Sequence, residues 1–401
     1  MKGASISTDM HRVNTQKRRF LFYTNEKRIV SYAGLWDAPT SGTVYSLILM
    51  AHALAGSGHD VVIACQVDEP FVAEGVVFEP CQSESELLRL VEAEAEVFDT
   101  VVVVGHAINE ITEAIRVLPH CIYWLHNWTP FAELVSQVER FQFKQVVCVS
   151  RYHLGYYLTH AVRRFSLFRR LTYINNPVDL RFSAPARVSE ANGAEIKVAF
   201  IGYPSRGKGF DKVISMMQGL SQLTDRVCVL HVFGDTTLYN NTSQADVEIG
   251  AHQPSVLHGS VSRRELYPLL AECDFAVSGL SGAETFCLSL LEAAVCGVVP
   301  VTVNSGGQVS FLNSSNAIIA ERVSDLPAKV LKCFESSTGY RALSTQARRL
   351  YLDFAPELIA DRWMQLGRQR SCRAAGLLVV GVFMWFVYSR SRRAWFTLGK
   401  K

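Results

Sequence analysis

Two glutamates with an eight-residue spacing stand out among the residues that could do chemistry. Glu284 follows a turn of small residues, and Glu292 interrupts an apolar run over 288–295. Glu is rarely buried without a partner, so a carboxylate inside an apolar helix needs a reason to be there. Eight residues are roughly two helical turns, which lets both carboxylates point toward the same end of a sheet.

A carboxylate pair of this kind can bind a polyol, because carboxylates accept hydrogen bonds from ribose and sugar hydroxyls. The alternative is a Glu near a helix start together with an unrelated surface Glu. A hydrolase that places one carboxylate on each side of a glycosidic bond fits poorly, because we expect Glu284 and Glu292 to lie on one helix.

A glycine-rich segment over 202–209 lies between a predicted strand and a predicted helix. Free backbone N–H groups and the helix dipole make such a turn an anion site, to which Lys208 would add one positive charge and Arg206 a second. A P-loop NTPase needs Ser or Thr in place of Gly209 to hold Mg²⁺, so that class is disfavoured. A surface turn with solvated cations remains the alternative.

His126 and Asn127 directly follow a predicted strand at 121–125. Ligands of α/β sheets bind beyond the carboxyl ends of the strands, so His126 is a candidate contact, with a buried packing histidine as the alternative. His106 is a weaker candidate. The sequence contains no Asp-x-Asp, so a two-carboxylate Mg²⁺ site for a nucleotide diphosphate is not indicated, and we expect no metal.

Strand and helix patterns alternate through two stretches of the chain, which a polar segment separates. The run Val101–Val104 is typical of a parallel strand buried on both faces. This alternation predicts an α/β protein with two doubly wound, Rossmann-like domains. The predicted divisions are a basic leader (1–19), a first domain (20–175), a linker (176–195), a second domain (196–350), a closing helix (351–370) and a hydrophobic and basic tail (371–401).

Charge is distributed unevenly along the 401 residues, whose formal net charge is +3. Residues 1–30 carry +5, residues 362–401 carry +9, and the body between them carries −11. An acidic body is a poor nucleic-acid binder, whereas basic ends suit an anionic membrane surface. The segment 374–388 has fifteen residues without a charge, and we expect it to associate with a membrane, across it or along its surface.

Ten cysteines are scattered along the chain without any CxxC pair. This pattern argues against a structural zinc site or a disulfide framework and favours a reducing compartment. The first 19 residues lack the apolar core of a secretory signal. Together with the tail, these features predict a membrane-associated protein with its folded domains in the cytoplasm.

The two glutamates belong to an ordered motif: Glu284-x7-Glu292-Ala293, then Gly297-Val298-Val299-Pro300-Val301-Thr302, then Gly306-Gly307. This motif resembles the donor-site signature of glycosyltransferase family 4, the retaining GT-B enzymes among the group 1 glycosyl transferases. The loop ending in Lys208-Gly209 is similar to the phosphate loop of that family, and Asn176-Pro177-Val178-Asp179 is similar to its linker.

The chain departs from the family pattern at several positions. Tyr203 stands where the family has Arg, and Thr285 and Cys287 stand where it has Gly. The glycine-rich turn after the first strand is reduced to one glycine, Gly42, within 39–43. These departures bear on which donor is bound and on activity.

The resemblance implies a GT-B fold in which two Rossmann-like domains face a cleft. It implies a retaining, metal-independent glycosyltransferase that moves a sugar from a nucleotide-sugar donor, a substrate rather than a cofactor, to a glycan or lipid-linked acceptor. The implied catalytic residues are Glu284, Lys208 and His126. The implied donor-binding residues are Arg206, Glu292, Thr285, Phe286, Cys287, Leu288 and Gly202, and Gly42 and Asn127 lie on the acceptor side. The alternatives are a membrane-anchored, non-catalytic GT-B scaffold subunit and a GT-B nucleotide-sugar epimerase.

Overall fold

The computed structural model describes residues 17–26, 31–93, 98–105, 120–161, 165–183, 194–235 and 254–366. The apolar segment 374–388 and His106 lie outside the described residues. No helix in the described part of the chain is both long and apolar enough to cross a membrane.

The first sheet has eight strands in the order β3-β4-β2-β1-β5-β6-β7-β8. Every neighbouring pair is parallel except β3 and β4, which form an antiparallel hairpin. Helices lie between the parallel strands, so the central strands are buried on both faces and read as continuous apolar runs. The strands are β1 (Arg19–Tyr23), β2 (Asp60–Cys65), β3 (Phe71–Ala73), β4 (Val76–Pro80), β5 (Thr100–Val104), β6 (Cys121–Leu125), β7 (Gln145–Cys148) and β8 (Leu171–Tyr173).

In the described part of the first half, five helices connect these strands. The first of them begins where the Ser41 hydroxyl accepts a hydrogen bond from the Val44 amide, and almost all of its side chains are buried. The helices are α1 (Gly42–Gly56), α2 (Glu84–Ala93), α3 (Phe131–Phe141), α4 (Arg151–Ala161) and α5 (Phe165–Phe168).

The second sheet has six parallel strands in the order β11-β10-β9-β12-β13-β14. This order reverses direction between β9 and β12, as in doubly wound dinucleotide-binding sheets. The strands are β9 (Glu195–Ile201), β10 (Val227–Phe233), β11 (Ser255–Gly259), β12 (Phe275–Val277), β13 (Val299–Val303) and β14 (Ile318–Ala320). The helices are α6 (Phe210–Ser221), α7 (Arg263–Ala271), α8 (Leu288–Val295), α9 (Leu326–Glu335) and α10 (Ser337–Arg348).

The closing segment consists of two helices rather than the single one expected over 351–370. Helix α11 (Tyr351–Phe354) is followed by Ala355, whose ψ of 138° is not helical. Helix α12 (Pro356–Leu366) begins at the next residue. A proline disfavours helical geometry in the residue before it, which explains the break. Helix α12 then packs on α1 of the first half, and the Trp363 ring contacts Phe22 and Trp124 there.

Polar and apolar contacts join the two halves. One apolar core cluster contains side chains from α1, α7, α8 and α12. The Tyr45 hydroxyl on α1 lies 3.2 Å from the Tyr267 hydroxyl on α7 and donates to Asp179 at 3.2 Å. The two sheets therefore face each other across an interface with a buried polar centre.

Candidate active site

A cleft of about 490 Å³ lies between the two sheets. Thr24 and Gly105 line it at the carboxyl ends of β1 and β5, the strands between which the first sheet reverses its order. Gly202 and Ser278 line it from β9 and β12, the corresponding strands of the second sheet. Since doubly wound sheets bind ligands where the strand order reverses, this cleft is the candidate active site.

The glycine-rich segment follows β9 as expected and leads into α6. Gly202 and Gly209 both have positive φ, at 136° and 75°. A Cβ at Gly209 would lie 2.7 Å from the backbone nitrogen of Ser281, closer than real Cβ contacts. The close approach of the neighbouring loop therefore excludes the Ser or Thr that a Mg²⁺-binding P-loop requires at this position.

The structure brings together Lys208 and Glu284. The Lys208 ammonium donates to a Glu284 carboxylate oxygen at 3.0 Å, and both side chains line the cleft. Lys208 is half exposed, whereas Glu284 retains 15% of its side-chain exposure. Arg206, the second expected cation, is exposed and does not line the cleft.

Glu284 does not share a helix with Glu292, contrary to the expectation from their spacing. Helix α8 begins at Leu288, and Glu284 lies in the loop before it. Gly282 and Cys287 have φ of 72° and 73°, and these left-handed residues bend the chain on both sides of Glu284. Both carboxylates nevertheless line the same cleft.

Glu292 is buried on α8 and has a charged partner. A carboxylate oxygen of Glu292 accepts from Nε of Arg263 at 3.0 Å, with 2% and 11% of the two side chains exposed. Burial alone would lower the pKa of Arg263, but the adjacent Glu292 carboxylate raises it, so the guanidinium stays charged. The ion pair supplies the partner that a carboxylate in an apolar helix needs.

Arg263 also reaches the first domain. Its Nη1 donates to the carbonyl oxygen of Thr40 and, at 2.9 Å, to the Thr40 hydroxyl. Its guanidinium lies 4.5 Å from the ring centre of Tyr45, a cation–π distance. Arg263 thus connects the Glu292 carboxylate to the turn that precedes α1.

His126 lies at the end of β6, where the sequence placed it, and lines the cleft. Burial, and then the nearby His153, lower the pKa of His126 to about 3, so its ring is neutral at physiological pH. Its buried Nε2 finds no hydrogen-bond partner among the described residues. A neutral ring with an unpaired nitrogen at a cleft can exchange a hydrogen bond with a ligand hydroxyl.

The remaining expected residues line the same cleft. Leu288 lies against Gly42. A Cβ added to Gly42 would be 3.4 Å from the Leu288 side chain. The Phe286 ring turns away to pack on Phe311 and Phe354. These residues are Gly42, Asn127, Gly202, Thr285, Phe286, Cys287 and Leu288.

Burial raises the pKa of the Cys287 thiol to about 11, so the thiol is protonated at neutral pH. All nine cysteines of the described residues are free. Within the same part of the chain, no group of three or more His, Cys, Asp or Glu side chains could hold a metal ion.

Residues 185–350 match the family model described as glycosyl transferases group 1. The match covers the second domain and not the first. The resemblance to group 1 glycosyl transferases drawn from the two glutamates and the glycine-rich loop is thereby confirmed, since both lie inside the matched residues. No curated protein sequence matches the chain significantly.

Several solved structures share the fold of the whole molecule. Sucrose-phosphate synthase from Thermosynechococcus elongatus is 13% identical, with a TM-score of 0.63 over 88% of this chain and 99% of its own. The Anabaena protein HepE in complex with UDP-glucose is 15% identical, with a TM-score of 0.62 over 88% and 100%. WaaG, a glycosyltransferase involved in lipopolysaccharide biosynthesis, is 15% identical, with a TM-score of 0.58 over 86% and 99%. The expected GT-B fold is confirmed.

Arg263 is the residue of the second domain that the sequence analysis missed. It occupies the first position of α7, after a capping box in which Ser262 and Glu265 exchange hydrogen bonds. The spacing Ser262-x-x-Glu265 indicates the start of α7. Because α7 follows the carboxyl end of β11, its first residue, Arg263, lies at the cleft. The partner, Glu292, is 29 residues away, and no local pattern indicates the pairing.

Proposed function

We propose that the chain is a retaining, metal-independent glycosyltransferase that moves a sugar from a nucleotide-sugar donor to a glycan or lipid-linked acceptor. The observation that carries this proposal is the meeting of Lys208, Glu284 and Glu292 in one cleft, all three within the residues that match the group 1 glycosyl transferases. A structure with the same fold, HepE, contains UDP-glucose, which supports a nucleotide-sugar donor.

The donor diphosphate would lie against the segment 202–209. The N-terminus of α6 supplies a positive dipole end, and Lys208 supplies a full charge. Negative charge grows on the diphosphate as its bond to the sugar breaks. A fixed cation at that position stabilises the transition state more than the ground state, and it does so without a divalent ion.

The two carboxylates would hold the two polyol parts of the donor. Glu284 lies beside Lys208 and would accept hydrogen bonds from hydroxyls of the transferred sugar. Glu292 would accept from the ribose with the carboxylate oxygen that Arg263 does not engage. On the opposite wall, the neutral His126 ring and Asn127 would contact the sugar or the acceptor near the turn at Gly42.

The acceptor would be close to a membrane. The basic tail and its uncharged segment 374–388 support attachment of the chain to a membrane, with the folded domains in the cytoplasm, where nucleotide sugars are made. A glycan or lipid-linked acceptor fits that location.

The test is a thermal-shift screen of the full chain against UDP-, GDP- and ADP-sugars, followed by turnover measured with excess EDTA. We expect one nucleotide class to stabilise the chain and transfer or hydrolysis to persist in EDTA, with the anomeric configuration of the product retained. Complete loss of turnover that Mg²⁺ or Mn²⁺ restores would contradict metal independence. Binding without turnover would favour the non-catalytic scaffold subunit.

A further inference from the structure

The first domain holds the backbone of the loop that carries Glu284. The indole nitrogen of Trp128 donates to the carbonyl of Ala283 at 2.5 Å. The hydroxyl of Ser150 donates to the carbonyl of Thr285 at 2.5 Å. Two consecutive β-strand ends of the first sheet, β6 and β7, therefore reach across the cleft to the two residues that flank Glu284.

The second domain fixes the carbonyl between them. The backbone nitrogen of Gly307 donates to the carbonyl of Glu284 at 2.7 Å. A Cβ at Gly307 would lie 2.0 Å from the carbonyl oxygen of Thr285, so the two segments approach as closely as glycine allows. Three successive carbonyls thus accept hydrogen bonds, and the Glu284 side chain projects from a backbone with little freedom.

The side chain of Thr285 adds a bond of its own. Its hydroxyl donates to the carbonyl of His126 at 2.6 Å, across the same interface. The glycine that the resembled signature carries at this position has no hydroxyl and cannot make this bond. The chain therefore gains an interdomain contact at a position where it departs from the signature, one residue from the proposed sugar-binding carboxylate.

We propose that Thr285 is a positioning residue that fastens the Glu284 loop to the first domain, so that the sugar-binding part of the donor site is assembled across the domain interface before a donor binds. This inference rests on the proposed function, because it assigns the transferred sugar to Glu284. The segment 202–209, proposed to hold the diphosphate, lies in the second domain, and the hydrogen bonds from the first domain to residues 283–285 do not include it.

The proposal predicts that affinity for the sugar part of the nucleotide sugar can be lowered without lowering affinity for the diphosphate part. Loss of the Thr285 hydroxyl loosens the carboxylate that would contact the sugar and leaves the diphosphate contacts in place. Thr285→Val keeps the size of the side chain and removes the hydroxyl that donates the hydrogen bond, whereas Thr285→Ser keeps that hydroxyl. The matched control is Thr345→Val, the same change at an exposed position of α10.

The first measurement is the affinity of each full-length variant for UDP-glucose and for UDP. We expect Thr285→Val to weaken UDP-glucose binding roughly tenfold, the scale of one hydrogen bond, and UDP binding by less than about twofold. Thr285→Ser and Thr345→Val should match the unmodified chain with both probes. Equal weakening of both probes by Thr285→Val, or weakening of neither, overturns the proposal.

The second measurement needs no ligand: amide hydrogen exchange of the segment 281–288. We expect faster exchange in Thr285→Val and in Trp128→Phe, which retains an aromatic ring without the indole N–H, and unchanged exchange in Thr285→Ser. Unchanged exchange in both Thr285→Val and Trp128→Phe overturns the proposal that the first domain fastens the Glu284 loop. An unmodified chain that binds none of the UDP-, GDP- and ADP-sugars contradicts the proposed function instead, and the exchange result still decides whether the loop is fastened.

Discussion

The ion pair between Lys208 and Glu284 joins the two side chains on which the proposed chemistry most depends. Lys208→Ala and Glu284→Ala should each lower turnover roughly 10²–10³-fold, the scale of losing one preorganised electrostatic contact. Both residues lie in loops, so the fold should survive, as circular dichroism will report. Lys332→Ala, on the exposed face of α9, is the control and should leave turnover unchanged. An unfolded Glu284→Ala variant would show that Glu284 is structural.

The backbone conformation and close surroundings of Gly209 distinguish this loop from a Mg²⁺-binding P-loop. Gly209→Ser restores the P-loop sequence, but it places a side chain at φ 75° and within 2.7 Å of the Ser281 backbone. We expect the variant to lose about 1–3 kcal/mol of unfolding free energy and to gain no Mg²⁺-dependent nucleotide hydrolysis. Gly207→Ser is the matched control, because a Cβ there meets only the Ser205 hydroxyl, at 3.7 Å. Equal stability of the two variants in urea titrations would contradict the argument.

The neutral, buried ring of His126 ties stability to pH. Its pKa is about 3 in the folded chain and about 6.5 when unfolded, so only the unfolded state takes up this proton as pH falls below 6.5. The unfolding free energy should therefore decrease by about 1.3 kcal/mol for each unit that the pH falls between pH 5.5 and 4, through His126. His126→Gln should flatten the measured slope by that amount, and His120→Gln, at an exposed position, should not. An unchanged slope in His126→Gln would show that the ring is already charged.

The role of a residue was predictable where its chemistry is local. Lys208 at a helix start and His126 at a strand end were placed at the cleft from the sequence, because strand and helix termini define such sites. Arg206 is exposed and outside the cleft lining, and its contact with the diphosphate stays a prediction, since a short loop does not indicate which of two neighbouring cations faces inward. Arg263 was missed because its importance comes from Glu292 and from Thr40 in the other half of the chain.

At the level of elements, periodicity was sufficient for the strands of the two parallel layers. The strand predicted at 121–125 has those bounds in the structure, and the run Val101–Val104 lies in β5, because both are buried apolar runs. The hairpin β3–β4 was not predicted. Its strands lie at the edge of the sheet and alternate exposed and buried residues over only three to five positions, too few for a clear period.

Helix α12 stabilises the half of the molecule from which it is most distant in sequence. Trp363→Ala should lower the unfolding free energy by about 3–5 kcal/mol, because the buried ring packs on Phe22 and Trp124. Leu358→Ala, at a 38% exposed position of the same helix, is the control and should cost less than about 1 kcal/mol. Urea unfolding of both variants tests this, and similar losses would mean that α12 is only loosely packed on the first sheet.

The whole molecule is held together by contacts that pass beside the proposed donor. Arg263 joins Glu292 to Thr40 on one side of α8, and Thr285 joins the Glu284 loop to His126 on the other. Both carboxylates proposed to hold the donor are therefore one step from an interdomain hydrogen bond. We therefore expect occupation of the proposed donor site to be coupled through these bonds to the relative position of the two sheets.

The distribution of charge over the whole chain gives the last prediction, which concerns the membrane. Residues 362–401 carry +9 and include the uncharged segment 374–388, so the full chain should sediment with anionic membranes. Each Lys or Arg near such a surface contributes about 1 kcal/mol, and burial of the apolar segment adds to it. A chain ending at Gly367 is the matched control and should remain in the supernatant with unchanged turnover on a soluble acceptor. Full-length protein that stays in solution at low salt without detergent would exclude the anchor. Asn240 and Asn313 each begin an Asn-x-Ser/Thr sequence, and glycans on either would place the folded domains in a lumen instead of the cytoplasm.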